Sequence, residues 1–277
     1  MNPTDDHQIV TPASDTVRVV QVTDTHLCRE PGGKLLGMDT DHSLQAVLRN
    51  VSSERSHIDV LLGTGDLADN GSREAYVRLH QALAEMPGKK FLLSGNHDLR
   101  AHMAAVAGSE CLCGEIKVGN WQIVMLDSQI PGEVGGRLGD DELARLEAAL
   151  RRGQSSSLYS LVCLHHQPEP IGCDWLDRQM VEDADAFWNL VDQYPGVRGV
   201  LWGHVHQQID RRRGDTLLMA SPSTCVQFKP GSSDFAADDQ PPGYRWLDLA
   251  ADGSISTGVS RVTDVAFTVD LDSKGYL

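Results

Sequence analysis

The sequence has little positive charge. Lys and Arg number 24 against 39 Asp and Glu in 277 residues, so the formal net charge is −15 at pH 7. A protein that grips a nucleic-acid backbone needs clustered cations, so we expect no nucleic-acid polymer as a partner. A small anionic substrate must instead be attracted locally, and bound metal ions would supply the positive field.

Long apolar runs are missing as well. No run approaches about 18 apolar residues, so we expect no membrane span. The N-terminal stretch MNPTDDHQIVTPASDT has neither a basic start nor an apolar centre, which predicts no signal peptide and a cytoplasmic location. Cysteines in that compartment are normally reduced. Cys111 and Cys113 form C-x-C, but no second pair lies at the spacing of a structural zinc site.

The chain reads as one domain behind a short tail. Residues 1–15 are polar without a periodic pattern, which predicts a flexible N-terminal tail, and residues 16–277 contain no linker. From about residue 215 we expect a strand-rich segment that completes a second sheet. Its predicted strands are 216–220, 225–228, 244–249 and 254–263. The turn-rich stretch 229–243 is predicted to be a surface loop.

Before that segment, apolar runs alternate with segments of helical period. The predicted strands are 17–22, 58–62, 91–93, 123–126, 161–164 and 197–201. The predicted helix N-caps are Asp41, Ser72, Asp140 or Asp141, and Asp183. Strands that alternate with helices indicate a layered α/β fold.

Metal-capable side chains follow five of these runs. They are Asp24, His26, Asp66, Asn96, His165, His204 and His206. In open α/β sheets, sites form outside the carboxyl ends of the strands, so these groups are predicted to converge. Glycines precede Asp66, Asn96 and His204 and permit the sharp turns that convergence needs.

The ligand types indicate two transition-metal ions. Two carboxylates, one amide and four imidazoles suit iron, manganese or zinc better than calcium or magnesium, which prefer oxygen ligands. Seven ligands are too many for one ion with an open position. They fit two ions that share one carboxylate, an arrangement that performs in-line displacements at phosphorus.

The blocks D-x-H, G-D, G-N-H-D, H-H and G-H-x-H, in this order over about residues 17–206, resemble the calcineurin-like metallophosphoesterases. The resemblance implies a four-layer αββα sandwich of two mixed β-sheets flanked by helices. It implies a first ion held by Asp24, His26, Asp66 and His206. The second ion would take Asp66, Asn96, His165 and His204, with Asp66 and a water or hydroxide bridging the pair.

The same resemblance implies roles beyond the metal ligands. His97 would contact the phosphoryl oxygen or the leaving group, and Asp98 would orient the His97 ring. The expected substrate contacts are His26, Asp66, Asn96, His97 and His206. His166 is expected to be a structural neighbour of the site, because the family pattern places the ligand at His165.

Further segments narrow the resemblance. HLCREPGGKLLGMDT, GDLADNGS, ASPSTCVQFKPGSSDF and PPGYRWLDL look like the bacterial class III 3′,5′-cyclic-AMP phosphodiesterases, over roughly residues 17–262. This implies attack of a metal-bridging hydroxide on cyclic AMP, which yields 5′-AMP. The block HHQP departs from the HHPP or HHHP of relatives, which leaves the shape of that loop open.

Other functions remain as alternatives. A broad-specificity or 2′,3′-cyclic nucleotide phosphodiesterase would use the same site. A lipid A-pathway pyrophosphohydrolase would usually carry Arg at His97 and an apolar cap, for which residues 99–164 leave little room. A DNA-end nuclease conflicts with the negative charge. A non-catalytic scaffold would normally have lost ligands, and this chain retains them all. The sequence assigns no oligomeric state.

Overall fold

The computed structural model describes residues 7–275, and its strands form two main sheets, numbered here along the chain. The larger sheet has seven strands. In spatial order they are β1 (His7–Val10), β7 (Glu115–Val118), β8 (Trp121–Met125), β9 (Tyr159–Cys163), β10 (Val197–Trp202), β12 (Thr216–Ala220) and β11 (Ile209–Arg213). Strands β8, β9, β10 and β12 are parallel, whereas the pairs β7–β8 and β11–β12 are antiparallel.

The smaller sheet has five strands. In spatial order they are β16 (Ile255–Arg261), β15 (Gly243–Leu249), β2 (Val17–Val22), β5 (Val60–Thr64) and β6 (Lys89–Leu93). Strands β2, β5 and β6 are parallel, and β15 and β16 add an antiparallel edge. Two short hairpins lie outside the sheets: β3 (Lys34–Leu35) with β4 (Met38–Asp39), and β13 (Gln227–Phe228) with β14 (Ala237–Asp238).

Helices cover the outer face of each sheet. Those beside the five-stranded sheet are α1 (Thr40–Glu54), α2 (Arg73–Ala84) and α3 (Arg100–Ala107), followed by a 3₁₀ turn, Ser109–Leu112. Those beside the seven-stranded sheet are α4 (Gly139–Ser155), α5 (Asp174–Asp177) and α6 (Ala184–Val191). No helix of the described residues is long and apolar enough to cross a membrane.

Alternation along the strands explains the layers. On β2, Val20 and Val22 pack in the cluster that contains Leu44 of α1, whereas Val19 packs in the cluster between the sheets with Leu161. Successive side chains of a strand point to opposite faces, so one strand serves both layers. The predicted αββα sandwich is therefore confirmed.

Helix N-termini follow the predicted positions only in part. Ser72 caps α2, because its side chain accepts a hydrogen bond from the Ala75 amide. For α1 the prediction is wrong by two residues: Asp39 is the cap and accepts from the amide of His42 at 2.9 Å. The predicted cap Asp41 instead accepts from the Gly32 amide.

The carboxylate of Asp183 lies before α6, as predicted, but it binds a different helix. It accepts hydrogen bonds from the amides of Leu138 and Gly139, at 2.9 and 2.7 Å, where α4 begins. Asp140 and Asp141 lie inside the first turn of α4 and are not its N-cap. Negative charge at a helix N-terminus is favourable, so all three carboxylates suit their positions.

The N-terminal segment departs from the predicted flexible tail of residues 1–15. Residues His7–Val10 form β1, which pairs in parallel with β7, and Val10 is buried. Such a short strand depends on a partner strand more than 100 positions away along the chain, so local polarity concealed it. Residues 1–6 lie outside the described range.

The strands after residue 215 form within about two residues of the predicted bounds at each end, but they do not share one sheet. Strand β12 joins the seven-stranded sheet, whereas β15 and β16 extend the five-stranded one. The expectation that this segment completes a second sheet therefore holds for β15 and β16 but not for β12 and β13. The loop 229–243 contains the short strand β14.

Candidate metal centre

Five strand ends bring the predicted ligands together. Main-chain hydrogen bonds join the loops to one another. The Asp24 amide donates to the main-chain carbonyl of Gly65, and the His26 amide donates to that of Asp66, each at 2.9 Å. The Gly203 amide donates to the carbonyl of His165 at 3.1 Å. Groups of metal-capable atoms within 4.8 Å of one another include Asp24, His26 and His206, and also Asp24, Asp66 and His165.

The backbone is strained at most of these ligands. Seven residues other than glycine have positive φ within residues 7–275, and five of them are predicted ligands. Their φ angles are 53° at Asp24, 42° at His26, 49° at Asp66, 64° at His204 and 49° at His206. Such conformations cost about 1–3 kcal/mol each and persist where the surrounding structure enforces them, commonly at functional sites.

Glycines allow the loops to approach closely. A Cβ atom at Gly95 would lie 2.3 Å from Oδ1 of Asp66 and 2.7 Å from Nε2 of His165. A Cβ atom at Gly203 would lie 2.7 Å from Oδ2 of Asp24. These contacts are shorter than van der Waals packing allows, so each position requires glycine.

Asp24, His26 and His206 form the first half of the centre. Nε2 of His206 lies 3.4 Å from Oδ1 of Asp24 and 3.2 Å from Nε2 of His26. Nδ1 of His206 makes a 2.7 Å hydrogen bond with the carbonyl of Val226, which directs Nε2 toward the other ligands. Phe228 stacks on the His206 ring with centroids 4.0 Å apart.

Asp66 lies between the two halves. Its Oδ2 is 3.2 Å from Nε2 of His165 and 3.8 Å from Nε2 of His26. Its Oδ1 accepts a 2.9 Å hydrogen bond from the amide of His97. Nδ1 of His165 makes a 2.8 Å hydrogen bond with the carbonyl of Thr64, which leaves Nε2 facing the carboxylate. Asp66 therefore occupies the position expected of a bridging ligand.

Two buried polar atoms among the candidate ligands make no hydrogen bond within the described residues. Within residues 7–275, Oδ1 of Asn96 and Nε2 of His165 are buried without a hydrogen bond. Such atoms normally find a partner, since a buried unsatisfied polar group costs about 1–3 kcal/mol. Carboxylate, amide and imidazole atoms of this kind are ligands of divalent transition metals, so the residues fit two such ions.

The protonation states of Asp24, Asp66 and His204 suit metal binding, whereas an ion bound at His165 would have to displace a proton. Burial raises the pKa of Asp66, but His165 and other imidazoles outweigh it and hold that pKa well below its usual range. Asp24 follows the same pattern, with burial opposed by His206. Burial and neighbouring imidazoles keep the pKa of His204 well below its usual range, whereas the Asp66 charge outweighs burial and raises that of His165. Metals bind carboxylates that are ionised and imidazoles that are neutral.

Asp98 does not hold the His97 ring as expected. Its carboxylate accepts from the amides of Leu67, Ala68 and Gly95 and from the hydroxyl of Tyr76. The His97 ring instead makes a 2.7 Å hydrogen bond from Nδ1 to the Asp69 carbonyl. Three main-chain amides of adjacent loops and one hydroxyl of α2 therefore hold the Asp98 carboxylate.

The contacts of His166 favour a structural role over a ligand role. His166 lies within 4.8 Å of His165 and His204 and could be mistaken for a ligand. Its Nδ1 is 2.8 Å from the Ser128 hydroxyl, however, and its Nε2 is 3.1 Å from the Val134 carbonyl. Both ring nitrogens of His166 are thus engaged by protein atoms, as a structural neighbour of the site would be.

Three further side chains contact the candidate ligands or the loops that bear them, although none belongs to the predicted ligand set. Nδ1 of His26 lies 3.6 Å from Oδ1 of Asp69. Gln129 donates to the carbonyls of Gly95 and Asp98, at 2.8 and 2.7 Å, and so secures the loop that carries Asn96. Oε1 of Gln179 lies 3.0 Å from Nε2 of His204. Only Asp69 had a sequence signal, its position three residues after Asp66, because the two glutamines lie on loops without a motif.

Residues 17–208 match the sequence model of the calcineurin-like phosphoesterases. The chain is 48% identical to the 3′,5′-cyclic adenosine monophosphate phosphodiesterase CpdA of Pseudomonas aeruginosa, over 96% of this chain and 98% of that one. It is 39% identical to the protein of the same name from Vibrio vulnificus, over 95% and 97%. For the Escherichia coli K12 protein the identity is 38%, over 94% and 95%.

Solved structures show the same fold at low identity. A dimetal phosphatase from Danio rerio superposes with a TM-score of 0.60 at 13% identity, over 89% of this chain and 99% of that one. Purple acid phosphatase PPD1 from yellow lupin seeds superposes with a TM-score of 0.61 at 14% identity, over 93% and 54%. At this identity the likeness establishes the architecture alone.

Proposed function

The chain belongs to the calcineurin-like phosphoesterase family, and on this basis we propose that it hydrolyses 3′,5′-cyclic AMP to 5′-AMP with two divalent metal ions. The observation that supports 3′,5′-cyclic AMP as the substrate is the extent of similarity to the CpdA proteins. It covers nearly the full length of both chains and continues beyond residue 208, where the family-wide match ends. That extra length includes the buried segment 220–228, which packs beside His206.

The proposed ligand sets follow the two halves of the site. One ion is held by Asp24, His26, Asp66 and His206, which approach one another within 3.2–3.8 Å in the contacts given above. The other ion is held by Asp66, Asn96, His165 and His204. When bound, two such ions lower the pKa of a coordinated water and neutralise charge on phosphoryl oxygens.

His97 is the proposed substrate-contacting residue. Its amide donates to Oδ1 of Asp66, and its ring is fixed through Nδ1 by the Asp69 carbonyl. This places the imidazole 4.8 Å from the His26 ring, beside the ligands without replacing one. We assign it to contact the phosphoryl oxygens and to donate a proton to the departing 3′ oxygen.

The remaining substrate contacts are assigned to His26, Asp66, Asn96 and His206, which border the same space. Asp98 is assigned a positioning role, because its carboxylate joins the loops that carry Asp66 and His97. The mixed nitrogen and oxygen ligands favour iron, manganese or both, and also suit zinc. The cytoplasmic location predicted from sequence belongs to this proposal.

A substrate panel on reloaded protein tests the proposal. Metal-stripped protein would be reloaded with Mn²⁺ or Fe²⁺ and assayed with 3′,5′-cyclic AMP, 2′,3′-cyclic AMP and an aryl phosphodiester. Asp66→Asn, which keeps the size of the side chain but removes the bridging charge, is the control. We expect metal-dependent preference for 3′,5′-cyclic AMP and its loss in the variant. Equal or faster hydrolysis of the other esters would favour the broad-specificity alternative.

A further inference from the structure

The ring of His204 is held differently from the rings of His165 and His206. Nδ1 of His165 and Nδ1 of His206 donate to main-chain carbonyls, those of Thr64 and Val226. Nε2 of His204 instead lies 3.0 Å from the side-chain oxygen of Gln179. A main-chain acceptor is independent of side-chain identity, whereas the acceptor for His204 can be removed by one substitution.

The chemistry of this contact determines the tautomer. A neutral imidazole carries its proton on one nitrogen, and the amide oxygen of Gln179 can only accept. The contact therefore requires the proton of His204 on Nε2, which leaves the lone pair on Nδ1. We propose that Gln179 is a positioning residue that fixes this tautomer and so makes Nδ1 of His204 the ligand atom for the second ion.

Gln167 holds the segment that carries Gln179. The side-chain Nε2 of Gln167 donates to the main-chain carbonyl of Leu176 at 2.6 Å. The main-chain carbonyl of Gln167 accepts from the main-chain amide of Val181 at 3.0 Å. The Gln179 amide donates to the same Leu176 carbonyl at 2.9 Å. Gln167 is fully buried, so these two anchors are shielded from water on either side of Gln179.

Gln167 is also the residue at which the block HHQP differs from the HHPP or HHHP of relatives. It follows the ligand His165 by two positions and reaches across to the segment 176–181. That segment in turn reaches His204 through Gln179. The two imidazoles assigned to the second ion are therefore joined by one chain of side-chain and main-chain contacts, through Gln167 and Gln179.

The inference rests on the proposed metal centre, so its test measures metal binding rather than hydrolysis. Full-length protein would be titrated with Mn²⁺ and followed by electron paramagnetic resonance, which distinguishes a coupled pair of ions from a single one. Gln179→Leu removes the acceptor at similar size, and Gln179→Glu keeps it. Gln154→Leu, at an exposed position of α4, is the matched control.

We expect Gln179→Leu to bind the second Mn²⁺ about 10–100-fold more weakly and the first as before, so that the coupled signal gives way to a single-ion signal. Gln179→Glu should restore the pair, and Gln154→Leu should match the wild type. Equal weakening of both ions, an unchanged second ion, or failure of Gln179→Glu to rescue would overturn the inference alone. A wild-type protein without a pair of ions would overturn the proposed function as well.

Discussion

The rings of Phe228 and His206 stack face to face, with centroids 4.0 Å apart and planes inclined by 10°. Phe228 is buried, so it supports the imidazole from the protein side. Together with the hydrogen bond to Val226, the stack leaves the His206 ring little freedom to rotate. The aromatic ring thus holds a proposed metal ligand in place without being a ligand itself.

Phe228→Leu should weaken binding of the first ion as well as the fold. The smaller side chain loses the stack and leaves a cavity, which costs about 1–2 kcal/mol of unfolding free energy. We expect about tenfold weaker binding of that ion because the ring is less well oriented. Urea unfolding and metal titration would measure the two effects.

Phe187→Leu provides the comparison, because Phe187 is equally buried in α6 and packs on Trp188. It should lose similar stability with unchanged metal affinity. Equal metal affinities in the two variants would contradict the supporting role of Phe228.

Gly95→Ala should abolish the metal centre while leaving most of the fold intact. The added methyl group would meet Asp66 and His165 at 2.3 and 2.7 Å, so both must move. We expect hydrolysis to fall at least about 100-fold, because a displacement of about 1 Å is enough for that loss. Metal content and turnover would be measured together with the circular dichroism spectrum.

Gly135→Ala is the matched control, since its nearest heavy atom would be 3.8 Å away. It should retain metal and activity. Full metal content in Gly95→Ala would show that the loops can separate without cost.

Asp98→Asn should destabilise the protein and slow hydrolysis. The carboxylate of Asp98 accepts hydrogen bonds from four donors. The amide of asparagine would replace one accepting oxygen with an NH₂ group, which would then face another donor. We expect a loss of about 1–3 kcal/mol in unfolding free energy, measured by urea denaturation.

Tyr76→Phe removes one of those donors and should cost about 1 kcal/mol. If Asp98 acted mainly on the His97 ring, Asp98→Asn would lose activity with unchanged stability.

The stability of the N-terminal region should depend on pH through Asp59. Burial raises the pKa of this carboxyl, but the amides of Arg18 and Ala13 and the ring of His57 outweigh burial and lower it. A pKa that is lower in the folded than in the unfolded state stabilises the fold above the ordinary value of 3.8. That contribution is lost as the pH falls through the folded value.

Asp59→Asn should therefore be less stable than the wild type at neutral pH. The difference in unfolding free energy should shrink steadily in acid below the ordinary aspartate pKa, because the wild-type carboxyl becomes neutral too. Urea unfolding across that range would measure it. A difference that does not change with pH would remove the charge from the explanation.

The positions of the candidate ligands are predictable from sequence because each group of them follows an apolar run. Parallel strands of one sheet deliver their carboxyl ends to the same edge, so Asp24 and Asp66 converge without any knowledge of the loops. His165 follows a strand of the other sheet, so its approach also depends on how the two sheets stack. The order of the motif blocks predicts the fold in the same way. These signals are local, so they can be read from the sequence without the structure.

Contacts between distant segments leave no such signal. Asp183 stands where a cap of α6 is expected, yet its carboxylate reaches an amide 45 positions earlier. Likewise nothing in the sequence near Gln179 indicates His204, and nothing near β12 tells which sheet it joins. These choices depend on packing between elements that each satisfy local rules in more than one way.

Five candidate ligands have a left-handed backbone that lowers the stability of the fold: Asp24, His26, Asp66, His204 and His206. Glycine would adopt each of these conformations without strain, and asparagine with little. A population of variants selected for folding alone should therefore drift toward glycine or asparagine at these positions, and so lose its ability to hold metal. The five strained side chains thus lower the stability of the fold while they supply the groups that can bind metal.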